Sequence, residues 1–171
     1  MSYLLLLAAM AAGVLPHLPN FSPVFGAMLL GGASLRRRDT LWLPLALWAA
    51  LCAVEALAVY HSHLGWGLIW TVAAMAPMAG AGELLRRKRS LLRVGLASTL
   101  GATGFFVFSN FGVWVGGAMY PPTLAGLGAC YLAAVPFYGN SVLAAILFGG
   151  VLLAAEGWLM SRRLAGAEVE P

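Results

Sequence analysis

Polar side chains that could bind or convert a small molecule are few, and they are set within long apolar stretches. Asn110 is the most informative of them, because it lies in the aromatic-rich run from Phe105 to Trp114. An amide among apolar side chains needs hydrogen-bond partners, so it should face a polar cavity, a ligand or another helix. Periodicity alone favours the simpler role, in which Asn110 bonds to a neighbouring helix or to backbone groups at a local kink.

A second set of polar and aromatic residues should gather at the face of the fold opposite its basic residues. Its members are Asn20, Ser22, Trp114, Tyr120, Tyr131, Tyr138 and Asn140. Polar groups beside aromatic walls are suited to holding a small, partly apolar molecule. The alternative is a belt of aromatic residues at a membrane interface. Prolines and glycines near these residues favour a shaped pocket.

The acidic residues and histidines give weaker signals. Glu55 lies within an apolar run, where a carboxylate indicates a functional site, yet it is also near enough to the run's end to reach the interface. We expect Glu83 and Glu156 to pair with arginines. His61 and His63 have a spacing that an extended turn could use for a metal, but solvated loop histidines are the simpler interpretation. The candidate ligand-binding residues are therefore Asn20, Ser22, Glu55, Asn110, Trp114, Tyr120, Tyr131 and Asn140.

Signatures of catalysis are missing from the sequence. It contains no H-E-x-x-H, G-x-S-x-G or Walker motif, and six acidic residues allow few catalytic carboxylate pairs. Cys52 and Cys130 lie in apolar segments without metal-ligand spacing. We expect no enzymatic activity, no cofactor and no metal site.

The elements that must position these residues are membrane-spanning helices. Hydrophobic residues make up 61% of the 171 residues and charged residues only 9%, whereas a soluble domain usually carries about 25% charged residues. A spanning helix needs about 20 apolar residues, so this length allows about five or six crossings. We predict an all-α bundle with a single transmembrane domain at residues 1–164 and a short cytoplasmic tail at 165–171.

Basic residues indicate how the helices are oriented. All ten lie in three groups at the ends of apolar runs: Arg36–Arg38, Arg86–Arg93 and Arg162–Arg163. That distribution is typical of the positive-inside rule and not of nucleic-acid binding. All three groups lie on one side if Thr123–Val135 is an extracytoplasmic half-helix and not a full crossing. We therefore predict six crossings in the bacterial cytoplasmic (inner) membrane, with both termini cytoplasmic.

Local signals place the six helices along the chain. Asn20 or Ser22 can cap the second helix, and Pro23 suits its first turn. Interruptions are expected at Pro77 in the fourth helix and at Ser109–Asn110 in the fifth. The expected helices are Tyr3–Leu15, Pro23–Arg36, Thr40–Tyr60, Gly65–Leu85, Leu91–Val115 and Asn140–Met160.

Two motifs carry a resemblance to a known family. The run Leu15–Pro23 and the run Phe105–Trp114 resemble the two main motifs of an uncharacterised family of small bacterial integral membrane proteins. Tyr120-Pro121-x-Thr123, Cys130-Tyr131 and Pro136-Phe137-x-x-Asn140 continue the likeness. That family resembles, more distantly, the substrate-binding S components of energy-coupling-factor vitamin transporters, which have six helices.

The chain departs from the family's sequence pattern at two places. The family tends to have an arginine before its Pro-His motif, where this chain has Gly13-Val14, and a Ser-Asp pair where this chain has Leu51-Cys52. If those groups bind ligand in relatives, this chain has changed its specificity or lost transport.

The combined expectation is an S-component-like protein in the lipid bilayer that binds a small organic solute for uptake. It would need an energising transporter module as partner, since the chain has no nucleotide site. Gly26, Gly31 and Gly32 could contact that partner or simply pack the chain's own helices. The alternative is an accessory or structural subunit of a larger membrane complex, with no ligand of its own.

Overall fold

The computed structural model describes residues 1–54, 56–57, 66–117 and 119–167, and over these residues the chain is all-helical. Its regular elements are six α-helices, with a short 3₁₀ turn at Glu83–Leu85 after the fourth. They are α1 (Ser2–Ala12), α2 (Pro23–Ser34), α3 (Trp42–Val54), α4 (Trp66–Gly82), α5 (Leu91–Val115) and α6 (Leu124–Ala167). The predicted all-α class and the predicted bounds of α5, Leu91–Val115, are confirmed.

Consecutive helices run in opposite directions. Ser2 at the start of α1, Ser34 at the end of α2 and Arg89 before α5 all meet at Glu156 of α6. At the other end, the loop after α1 bonds to α6 through the Asn140 amide, which donates to the carbonyl of Pro19. The connections with Arg36–Arg38 and Arg86–Arg89 therefore share one end, which we call the basic end.

The second helix is the centre of the bundle. Ten of its twelve residues are buried, and its glycines explain how closely the other helices approach. A Cβ at Gly26 would lie 2.5 Å from the backbone of Phe148 in α6, and one at Gly32 would overlap the carbonyl of Ala79 in α4. Gly31 faces Pro44 of α3. Of the two roles considered for these glycines, packing of the chain's own helices is the one seen.

The sixth helix differs from expectation. Thr123–Val135 was predicted to be a half-helix separate from the last helix, but Leu124–Ala167 is one helix of 44 residues with Pro136 inside it. A proline removes one backbone hydrogen bond at a cost of about 3 kcal/mol. Contacts with α5 flank that position: the Tyr131 hydroxyl donates to the Val107 carbonyl, and the Tyr138 hydroxyl lies 2.8 Å from Thr103 Oγ1. Packing against α5 thus supports the continuous helix on both sides of Pro136.

The two other predicted interruptions are also wrong. Pro77 lies inside α4, where it packs against Gly104 of α5, whose missing side chain leaves room for the ring. Ser109 and Asn110 lie inside α5 without ending it, because both side chains donate to the Phe106 carbonyl of their own helix.

Among the described residues, two helices, α5 and α6, are long and apolar enough to cross a membrane by length and composition. The other apolar helices within these residues are shorter, at 10–17 residues. Large apolar side chains are exposed along α5, including Leu91 at 92% and Leu92 at 73%. Length, composition and exposure together point to association with a membrane.

Candidate functional site

A cavity of about 380 Å³ lies between the α1–α2 loop and the helices beneath it. We call it the loop cavity. Its lining comes from the end of α1, the α1–α2 loop and four helices: Gly13, Val14, Leu15, Pro16, His17, Asn20, Ser22, Phe25, Trp48, Thr71, Met75 and Phe105. Its volume falls within the range of ordinary small-molecule sites, about 300–1,000 Å³.

The loop over this cavity is shaped by its own sequence. Ser22 caps α2, since its hydroxyl accepts from the Val24 amide at 3.3 Å, and Pro23 fills the first helical position. Just before the cap, Asn20 has a φ of 58°. This left-handed conformation is one that asparagine tolerates better than most residues. The turn therefore places Asn20 and Ser22 at the cavity wall. Of the two residues that the sequence offered as the cap of α2, Ser22 is the one that caps it.

The polar lining is mostly uncharged. His17 Nδ1 lies 3.0 Å from the Leu18 carbonyl oxygen and Nε2 lies 3.2 Å from that of Gly13. Each ring nitrogen therefore lies within hydrogen-bond distance of a backbone carbonyl of the loop or the end of α1. Among the described residues that line the cavity, His17 is the one ionisable side chain. The remaining polar groups are amides, hydroxyls and backbone atoms.

The walls and floor of the cavity are aromatic and apolar. The rings of Phe25 and Phe105 meet edge to face, with centroids 5.0 Å apart at 83°. Met75 beside them is only 2% exposed. The Trp48 indole donates to the Thr71 carbonyl at 3.2 Å, which ties α3 to α4 at the cavity's side. Such a lining can stack a flat apolar group while the loop bonds its polar edge.

The loop cavity lies part-way down the bundle. Phe105 comes 14 residues after the start of α5 and 10 residues before its end. At 1.5 Å per residue, the cavity floor lies roughly 21 Å from the basic end of α5 and about 15 Å from the other end. The α5–α6 hairpin therefore extends past the cavity.

The predicted site residues divide into two groups. Asn20 and Ser22 line the loop cavity, and Asn140 supports the loop through its bond to Pro19, 3.0 Å long. The others are in or beside the α5–α6 hairpin. Glu55, His61 and His63 lie outside the described residues.

Hairpin candidates bond to backbone groups of the hairpin itself. The Asn110 amide donates to the Phe106 carbonyl at 2.7 Å, and the Tyr131 hydroxyl donates to the Val107 carbonyl at 2.8 Å. The Trp114 indole donates to Pro121 at 3.0 Å, and Tyr120 lies in the same connection. The Asn110 amide thus bonds to the backbone of its own helix, whereas the Tyr131 bond joins α6 to α5.

A smaller cavity of about 200 Å³ adjoins the loop cavity, since Thr71 and Phe105 line both. It lies between α4 and α5, where Gly112 leaves room for Trp70. Ser109 lines this cavity while Asn110 does not.

The basic end holds a buried polar network centred on Glu156. This carboxylate is 1% exposed and accepts from Ser34 at 2.6 Å, from Arg89 Nη1 at 2.7 Å and from the Ser2 hydroxyl. Arg89 Nη2 also donates to Ser34 at 2.8 Å. The predicted pairing of Glu156 with an arginine is confirmed, and the network joins α1, α2, α6 and the connection before α5.

A neighbouring cluster extends this network. Arg86 donates to the Leu35 carbonyl at 3.0 Å and to the Thr40 hydroxyl. The Tyr3 hydroxyl donates to Asp39 at 2.6 Å. These bonds connect the helices at the basic end, whereas the loop cavity lies beside the opposite ends of α1 and α2.

In the part of the chain that the structure describes, no three His, Cys, Asp or Glu residues come together to form a group that could hold a metal ion. Cys52 and Cys130 are thiols and not disulfide partners.

The sequence analysis missed Phe25, Trp48, Thr71, Met75 and Phe105 as cavity residues. They come from four helices, and no spacing along the chain could have grouped them.

Comparison with known proteins gives one match. A family model described as a family of unknown function (DUF6580) matches residues 1–167. No curated protein and no solved structure matches the chain.

Proposed function

The chain belongs to the DUF6580 family of unknown function, and from that premise we propose that it is a multi-pass membrane protein that binds a small organic solute. The binding site in this proposal is the loop cavity. One observation carries it: a volume of about 380 Å³ combines aromatic walls with a polar loop whose backbone is fixed in a left-handed turn. Aromatic and apolar walls with a few polar groups are typical of small-molecule sites.

The membrane topology that we propose has six crossings, with the basic end on the cytoplasmic side. Support comes from the alternating helix directions and from the Arg36–Arg38 and Arg86–Arg89 connections, which share one end. Helices α1 to α3 have only 11, 12 and 13 residues, which is short for an apolar core of about 30 Å. Irregular backbone is tolerated at membrane depth where it lines a cavity, as the α1–α2 loop does.

In this arrangement the loop cavity opens away from the cytoplasm. A bilayer core of about 30 Å measured from the start of α5 includes the cavity floor, which lies roughly 21 Å along that helix. Trp114 and Tyr120 then lie at the outer interface, where such side chains commonly anchor helices. Tyr131 lies deeper, because its hydroxyl bonds to Val107, about 24 Å along α5.

The solute class follows from the lining. Phe25, Trp48 and Phe105 favour a flat, apolar body, and Asn20 with Ser22 favours a hydrogen-bonding edge. Because the described lining holds no carboxylate, lysine or arginine, the solute carries little net charge. Uptake would be driven by an energising partner, since the chain has no nucleotide motif. The likeness to S components rests on sequence motifs alone.

Cysteine labelling in membranes tests this proposal. Asn20→Cys should react with a membrane-impermeant maleimide from the side opposite to Lys88→Cys, with the wild-type thiols of Cys52 and Cys130 as background. The small-molecule fraction of the growth medium should slow labelling of Asn20→Cys. Met119→Cys is the matched control, because Met119 is 72% exposed in the α5–α6 connection and does not line the cavity.

Two results would contradict the proposal. Labelling of Asn20→Cys and Lys88→Cys from the same side would overturn the topology. If the small-molecule fraction slowed labelling of Asn20→Cys and Met119→Cys equally, or slowed neither, the case for a solute would be lost. The structural-subunit alternative would then be favoured.

A further inference from the structure

A second recess, of about 350 Å³, lies on the other side of the bundle, between the first turns of α5 and the middle of α6. We call it the α5–α6 groove. Apart from Arg89 at one end, its lining is apolar, with Leu91, Val94 and Gly95 on one wall and Ile146 and Gly150 on the other. It shares no residue with the loop cavity.

The groove exists because two glycines face it. A Cβ added at Gly95 or at Gly150 would have no heavy atom within 4 Å. This differs from Gly26 and Gly32, whose missing side chains are filled by neighbouring helices. The space at Gly95 and Gly150 is therefore open toward whatever surrounds the helices, and a bilayer offers acyl chains there.

Charge at the groove's end is strongly positive. The stretch from Glu83 to Arg93 contains five basic residues and one acidic residue. Counting the buried Glu156 that pairs with Arg89, the local sum is +5 − 2 = +3. The first turn of α5 adds backbone N–H groups with the positive end of a 25-residue helix. The Arg89 side chain is 33% exposed, so it is accessible beside that turn.

We propose that the α5–α6 groove binds one anionic glycerophospholipid, with an acyl chain in the groove and the phosphate beside Arg89 and the start of α5. The apolar lining accommodates the chain, and the excess positive charge selects an anionic headgroup. This proposal uses the membrane placement proposed above but not the loop cavity or its solute.

Native mass spectrometry of the full chain tests the lipid site. The detergent-solubilised protein is titrated with phosphatidylglycerol and, separately, with phosphatidylcholine of the same acyl chains. We expect one phosphatidylglycerol to be retained about tenfold more strongly than phosphatidylcholine, which corresponds to about 1–2 kcal/mol for the basic residues near the headgroup.

Matched variants locate the acyl chain. Gly150→Leu and Gly95→Leu fill the groove from opposite walls, and both replace glycine by a better helix former, so the fold should be kept. Each should lower phosphatidylglycerol retention about tenfold, equal to losing the burial of about two methylene groups. Gly128→Leu is the control, because Gly128 is equally open in α6 but lies far from the groove.

Each result tests a different part of the lipid proposal. Equal retention of the two lipids overturns the headgroup selection and with it the proposal. Retention that is unchanged in both groove variants, or lowered equally in Gly128→Leu, overturns the location, and a dimer lost in the groove variants would assign the groove to a second copy. None of these results bears on the labelling of Asn20→Cys, so failure of the lipid proposal is distinct from failure of the solute proposal.

Discussion

The Arg89–Glu156 pair makes an asymmetric prediction about stability. Glu156 is 1% exposed, whereas the Arg89 side chain is 33% exposed. In Arg89→Ala the carboxylate stays buried and loses its cation, which costs about 3–5 kcal/mol for a buried pair. In Glu156→Ala the arginine can turn toward water, so the cost is that of the lost hydrogen bonds, about 1–3 kcal/mol. We expect Arg89→Ala to be the more destabilising change.

The double variant sharpens this prediction. When both side chains are removed, no charge is left buried without a partner, so the total loss should be smaller than the sum of the two single losses. Arg87→Ala is the control, since Arg87 is an exposed neighbour, and it should change the free energy of unfolding by less than about 0.5 kcal/mol.

Unfolding in mixed micelles, followed by circular dichroism over a titration with sodium dodecyl sulfate, measures these free energies. The wild type and the four variants are compared over the same titration. A larger loss in Glu156→Ala than in Arg89→Ala would refute the reasoning, because it would mean that the buried carboxylate tolerates isolation better than the arginine does. Additive losses in the double variant would show that the two groups do not act as a pair.

Further predictions follow from contacts on α2 and α5. Asn110→Leu should lower the free energy of unfolding by only about 0.6 kcal/mol and leave solute retention unchanged, because its amide bonds within its own helix; loss of solute with unchanged stability would return Asn110 to the site. Gly32→Ala should destabilise by about 1–3 kcal/mol, because its Cβ would overlap α4. Gly80→Ala meets no atom within 4 Å and should be neutral or stabilising by up to about 1 kcal/mol, so equal effects in the two glycine variants would contradict the packing described for α2.

A local signal in the sequence predicted the start of α2. Ser22 caps that helix and Pro23 fills its first position. This motif acts within four residues, so it needs no knowledge of the fold. Ser90, which the sequence analysis did not single out, caps α5 in a similar way by accepting from the Arg93 amide. The expected interruption at Pro77 and the expected separation of Thr123–Val135 from the last helix were wrong. Tertiary packing outweighs the local signals there, because Gly104 makes room for the Pro77 ring and contacts with α5 flank Pro136.

The candidate site was less accessible to sequence reasoning. Asn20 and Ser22 were predicted from their motif, but the walls that they face come from α2, α3, α4 and α5. Nothing in the spacing of Trp48, Thr71 and Phe105 shows that they meet. Asn110 is different, because its partner, the Phe106 carbonyl, is only four residues away in the same helix; the sequence offered this local bond only as one of several possibilities.

Native mass spectrometry of the protein in nanodiscs tests the solute site most directly. The wild-type chain should release a small organic molecule on activation. Asn20→Gly removes the amide but suits the φ of 58°, and Trp48→Leu removes an aromatic wall, so both variants should retain at least about tenfold less of that molecule, as expected when a group bonded to ligand or a stacking face is lost. Equal retention in the wild type and both variants, or no bound molecule in any of them, would contradict the account.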